Sequence, residues 1–135
     1  MTETTTPFTQ IATAPDWYEP YAISQAIEVG GLIFVSGQAG IDESGTTVAG
    51  GFEAQARQAF TNLRLVLEAA GSDLAHVVKV TILVTDISVI DTVIKLRREY
   101  FTHPYPADTI AQIDALAAPE WEIEIEAIAV ASPTA

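Results

Sequence analysis

No cysteine occurs in the 135 residues, which excludes disulfides, thiolate nucleophiles and cysteine-held metals, and leaves the redox compartment open. Basic residues are scarce: 6 Lys and Arg stand against 18 Asp and Glu, for a formal net charge of -12. A chain so acidic repels phosphate backbones and anionic lipid surfaces. Lys95 with Arg97 and Arg98 is too small a basic patch to reverse that, so neither nucleic acid nor membrane is expected as a partner. No apolar run approaches the roughly 20 residues of a membrane span. The first residues also lack a basic-then-apolar targeting pattern. A cytoplasmic location is the default expectation.

What is present is apolar residue in quantity. With 49% hydrophobic content the chain can bury a core, and its length suits one domain. Residues 1–9 are polar and Thr-rich and read as a flexible tail; residues 10–135 read as the domain. Two apolar-biased runs, Ser24 to Val29 and Leu32 to Ser36, flank Gly30-Gly31, a pair suited to the positive φ values of a tight hairpin turn. Phe52, Ala56, Ala59, Phe60, Leu63, Val66, Leu67 and Ala70 follow three-and-four spacing, and Gly71 stands where a left-handed helix cap belongs. Val77 to Val84 reads as a central strand. Asp86 or Ser88 can cap a second helix ending near Phe101, before Pro104 and Pro106. Strands over Thr109 to Leu116 and Trp121 to Val130 complete a β-β-α-β-α-β-β order. This is an α+β layer, one mixed sheet with two helices on one face.

The last strand carries an unusual row of acids. Strict alternation predicts Glu122, Glu124 and Glu126 on one face, with Trp121, Ile123, Ile125, Ala127 and Ala129 on the other. Carboxylates two residues apart repel, so the row needs water, a partner or a chemical task. With both helices on one side, the second face of the sheet stays open unless another copy covers it, so a homo-oligomer is expected.

Several short pieces, in this order, resemble the Rid family of reactive intermediate deaminases, also called the YjgF family. They are Val35-Ser36-Gly37-Gln38, the stretch from Asn62 to Gly71, Val77 to Val80, Thr85-Asp86, Pro106-Ala107 and Ile123 to Ala129. The resemblance runs from about Ser24 to Val130 and implies a chorismate-mutase-like fold and a homotrimer with a ligand cleft at each subunit interface. It also implies a small-molecule ligand and no metal or other cofactor. In the deaminating members an arginine follows Pro-Ala and forks onto the carboxylate of a small imino acid. That position is Asp108 here. The family's water-positioning glutamate matches Glu124, which is retained. At ~4 Å and an effective dielectric near 20, about 4 kcal/mol of attraction for a carboxylate would become repulsion. A free 2-imino acid should therefore bind poorly.

Other departures run the same way. The family's Gly-Pro-Tyr-Ser-Gln stretch aligns with Tyr21-Ala22-Ile23-Ser24-Gln25, so Ile23 replaces the pocket ring and Tyr21 is its candidate substitute. An asparagine of the second helix aligns with Ile94, and a cysteine two places after the arginine aligns with Ile110. Ser36 is a candidate ligand contact; without a neighbouring histidine it is not a nucleophile. Tyr105 and Trp17 are candidate pocket walls with core packing as the rival role, and His76 and His103 read as polar loop residues. Asp108 has two readings, a pocket carboxylate and a turn residue after Pro106. As catalytic pair, Glu124 would orient water toward a C=N carbon while Asp108 beside it raised its pKa. The expected activity is hydrolytic deamination of an enamine or imine other than the usual free 2-imino acid. The alternative is a noncatalytic trimeric binder of a small metabolite. A ribonuclease role is disfavoured by the charge.

Overall fold

The computed structural model describes residues 7–132. Its elements run β1 (Thr9–Ile11), β2 (Ala26–Val29), β3 (Leu32–Ala39), α1 (Gly51–Ala69), β4 (Val77–Val84), α2 (Ile90–Tyr100), β5 (Ala107–Gln112) and β6 (Ile123–Val130). The expected order is present, with β1 added at the front. Three residues too short and polar to register as a strand pair antiparallel with Ala26 to Glu28 of β2. The expected tail therefore ends at the start of β1, and residues 1–6 lie outside the described residues.

One six-stranded mixed sheet, in the order β1-β2-β3-β6-β4-β5, carries the molecule. Every neighbouring pair is antiparallel except β4 and β5. The parallel pair follows from α2, which carries the chain back over the sheet between them. Gly30 and Gly31, at φ of 59° and 80°, make the two-residue link from β2 to β3 as expected. At the end of α1, Gly71 adopts φ 76° and its N–H donates to the Glu68 carbonyl, while Ser72 N–H reaches the Leu67 carbonyl, both at 2.9 Å. These two bonds satisfy carbonyls that the helix leaves free.

The core lies between helices and sheet. Ala56, Ala59, Phe60, Leu63, Val66 and Leu67 of α1 are fully buried, as are Ile33, Ile82, Ile123, Ile125 and Ala129 of the strands. Phe60 stacks on Tyr100 at 4.8 Å between ring centroids and meets Phe101 edge-on, which fixes the end of α2 against α1. The opposite face of the sheet bears no helix. Leu32, Phe34 and Val29 are exposed there, and Glu124 and Glu126 emerge beside Leu83 and Thr81 of β4. Among the described residues no helix is long and apolar enough to cross a membrane.

The last two strands differ from expectation in their limits: β5 runs Ala107–Gln112 and not Thr109 to Leu116, because the chain already pairs with Lys79 at Ala107 and leaves β4 after Gln112. The last strand begins at Ile123, not Trp121. Glu122 N–H donates to Gln55 Oε1 of α1 at 2.9 Å, and Gln55 Nε2 reaches the Glu122 carboxylate at 3.4 Å. This anchor draws Glu122 out of the acidic row. Only Glu124 and Glu126 alternate as the pattern predicts, and Trp121 is released from the buried row.

Candidate functional site

A break in strand regularity builds the site. Val35 pairs with Ala127 and Gln38 with Ile125, so Ser36 and Gly37 together face Glu126 as a β-bulge in β3. Such bulges bend a strand and re-aim its groups, and they gather beside active sites. Side chains hold this one in place. Ser36 N–H donates to the Gln25 carbonyl at 2.9 Å, Ser36 Oγ donates to the Ser24 carbonyl at 2.6 Å, and the Tyr18 hydroxyl donates to the Gly37 carbonyl.

The room beside position 37 is taken by the Glu124 side chain, which would have to move aside for any larger residue. A Cβ there would come within 2.6 Å of Glu124 Cδ, so the carboxyl group occupies the space that a larger residue would fill. Gly37 is not at a positive φ, so the constraint is steric and not conformational. Glu124 is thereby pressed against β3 on the helix-free face.

The surrounding cleft has a volume of about 630 Å³ and is walled by Tyr18, Tyr21, Ile23, Ser36, Trp121 and Glu124, with Glu126 at its side. Trp121 reaches it because the turn before β6, closed by its N–H on the Ala118 carbonyl, aims the indole toward Thr47 Oγ1 at 3.2 Å. Burial, reinforced by the neighbouring Glu126 charge, pushes the Glu124 carboxyl above the usual carboxylate range. Burial and the Glu124 charge push the Tyr18 phenol up, so it remains a hydrogen-bond donor at any physiological pH. Among the described residues neither Glu124 nor Glu126 has an ion-pair partner.

Of the residues singled out in the sequence, Ser36, Tyr21, Ile23 and Glu124 meet in this cleft. Asp108, Ile110, Ile94 and Tyr105 belong to a different region of the chain. Asp108 registers with Val80 and Ile110 with Ile82, which directs both toward the helix-covered face of the edge strand β5. Glu124 points to the opposite face, so within one chain the charge that faces Glu124 is Glu126 and not Asp108. Asp108 Oδ1 instead accepts from Arg97 of α2 at 2.7 Å, with both side chains less than a quarter exposed. Ile94 is half-buried on α2, and Tyr105 is exposed with His103 edge-on at 5.8 Å. His76 pairs with Asp73 at 2.7 Å. Trp17 is buried in the core. Tyr18, Trp121 and the bulge at Gly37 are site features that sequence reasoning missed. Trp121 was visible only as a strand residue, and no periodic signal marks Tyr18.

The two-helix mixed sheet has counterparts in known proteins. The family model for endoribonuclease L-PSP matches residues 11–131. The chain belongs to this family, the Rid or YjgF family. It is 42% identical over 123 residues to 2-iminobutanoate/2-iminopropanoate deaminase of Homo sapiens, covering 90% of this chain and 88% of the relative. Against the Bos taurus protein of the same name the identity is 44% over 124 residues, with the same coverage. Among solved structures, protein YJGH superposes at a TM-score of 0.85 and 33% identity, over 96% of this chain and all of that one. RidA from the Antarctic bacterium Psychrobacter sp. superposes at 0.77 and 37% identity, over 81% of this chain and 88% of that one. These likenesses establish the chorismate-mutase-like fold of this Rid-family chain.

Proposed function

We propose that this Rid-family chain is a hydrolytic imine or enamine deaminase whose substrate lacks the free carboxylate of the usual 2-imino acids. Relatives above 40% identity are named as iminobutanoate/iminopropanoate deaminases, which supports the reaction class. The observation that carries the reading is the Glu124 carboxyl, held without a cationic partner in a cleft against Gly37.

The chemistry follows from that carboxyl. Glu124 as carboxylate orients a water and takes its proton as the oxygen adds to the C=N carbon. The imine nitrogen, protonated at this stage, becomes the amine of a carbinolamine. Glu124 returns its proton to that nitrogen, and as the C–N bond breaks the freed carboxylate takes the hydroxyl proton, so that ammonia leaves, a C=O product remains and the proton passes on to ammonia or solvent. A carboxyl whose pKa burial raises is a stronger base toward the water than an ordinary glutamate. Ser36 and Tyr21 supply polar contacts, and Ile23 an apolar wall.

Asp108, Ile94, Ile110 and Tyr105 enter this reading through assembly. We assign them to a second copy that covers the helix-free face in a homotrimer and brings its β5 edge to the cleft. Asp108 in place of the family's arginine is the reason for excluding a free carboxylate from the substrate. RNA is a poor candidate, since the net charge is -12 and no Lys, Arg or His lines the cleft.

Ammonia release tests the proposal, measured for 2-aminoacrylate and for carboxylate-free imines generated in situ. The wild type is expected to hydrolyse the carboxylate-free imines faster than 2-aminoacrylate. A double exchange, Asp108→Arg with Arg97→Asp, preserves the ion pair while testing charge at position 108, and is expected to shift preference toward 2-aminoacrylate. Wild-type preference for 2-aminoacrylate would overturn the substrate assignment, and silence on every imine would overturn the hydrolytic one.

A further inference from the structure

We infer that the cleft selects an organic cation, an alkylammonium or iminium group on an apolar body, against neutral isosteres and free carboxylates. The inference rests on the reading of this cleft as the reaction site and adds the charge class of what enters it. Three aromatic rings, Tyr18, Tyr21 and Trp121, share its wall with the carboxylates of Glu124 and Glu126. Ring faces carry negative charge density and attract cations within about 6 Å, most strongly where water is displaced. A cation is thus drawn by rings and carboxylates together. An anion would meet both, with no basic side chain among the residues that line the cleft.

Countercharge could come from two nearby side chains, and both are engaged elsewhere. Arg97 is held on Asp108 at 2.7 Å, so a second copy's β5 edge would bring the two to the cleft as an ion pair without net charge. Lys79 keeps its charge, its ammonium donating to Thr109 Oγ1 at 2.7 Å, but it lines an adjoining hollow with Glu126 and not the cleft. The remainder of the wall is apolar, with Ile23, Ile41, Ala117 and Ala118. Such a wall favours alkyl or ring substituents on the cation over further hydroxyls.

Calorimetric titration of the full chain tests this with three probes: choline, its neutral isostere 3,3-dimethyl-1-butanol, and 2-oxobutanoate. Choline is expected to bind at least ~10-fold tighter than either other probe. At exposed positions that leave the core intact, Glu126→Gln should weaken choline several-fold without altering the alcohol's affinity, and Tyr21→Ala should weaken choline more than the alcohol. Equal binding of choline and the alcohol, or preference for 2-oxobutanoate, would overturn the inference. So would choline affinity indifferent to both substitutions. Ammonia release measured in parallel separates this inference from the reading beneath it. Choline binding without turnover of any imine sinks the deaminase and leaves the cation site. Imine turnover without choline binding does the reverse.

Discussion

Glu124 and Asp108 are carboxylates on opposite faces of one sheet, and their surroundings differ in kind. Asp108 meets Arg97 in a hydrogen-bonded ion pair, so its burial is offset by a partner. Glu124 meets Glu126, a phenol and a stretch of backbone, with no cation, and burial first, then the Glu126 charge, raises its pKa. A paired acid on the helix side contributes to the fold. An unpaired acid held in a cleft opposes the fold, and such local costs concentrate where chemistry is done. The same sheet thus separates a paired carboxylate from an unpaired one by the face that each occupies.

The sharpest way to break this contrast is Gly37→Ala. The added methyl overlaps the Glu124 carboxyl and must displace it, so imine hydrolysis is expected to fall about 10- to 100-fold, mainly in kcat. Circular dichroism should retain the wild-type fold, with unfolding made easier by about 1–3 kcal/mol. On the other face, Arg97→Ala strands Asp108 where less than a quarter of its side chain is exposed. Denaturant unfolding should report a loss of about 1–2 kcal/mol, the partial exposure reducing the full cost of an unpaired buried charge.

Glu124→Gln should act in the opposite sense on stability. A carboxyl whose pKa is raised in the fold contributes stability that is fully present below the ordinary Glu range. That contribution is lost as pH rises through the raised value. Removing the charge is therefore expected to raise Tm by about 2–4 °C near pH 8 and by nothing near pH 3.5, as followed by thermal melts. Smallest of all is Ala22→Gly between the cleft residues Tyr21 and Ile23. Ala22 adopts φ 59°, ψ 39°, a left-handed conformation unfavourable for a residue with a Cβ. Relief of that strain, partly cancelled by the freer unfolded chain, should stabilise by about 0.5 kcal/mol.

The fold was legible because its signals are local and redundant. Helical spacing, Gly71 beyond it, the Gly30-Gly31 turn and the alternation of Ile123 to Ala129 each specify geometry without reference to distant residues. The site was legible in part. Glu124 stood out through its acidic row and its place in a family pattern, but its neighbours depend on pairing between remote segments. The bulge at Ser36-Gly37 arises only when β3 is laid against β6, and Tyr18 joins the cleft only once its loop folds back onto that bulge. Glu122 left the acidic row because Gln55, 67 residues earlier, captured it. The ion pair of Asp108 likewise required the placement of α2 over β5, which alternation cannot reveal.

The central claim is that Glu124 performs the hydrolytic step. Its most direct test is the rate of ammonia release from a carboxylate-free imine, corrected for spontaneous hydrolysis, in wild type and Glu124→Gln at equal folded concentration. The account predicts a loss of about 100-fold or more in kcat with the substitution, the usual worth of a positioned general base. Turnover by Glu124→Gln within a few-fold of wild type would contradict it.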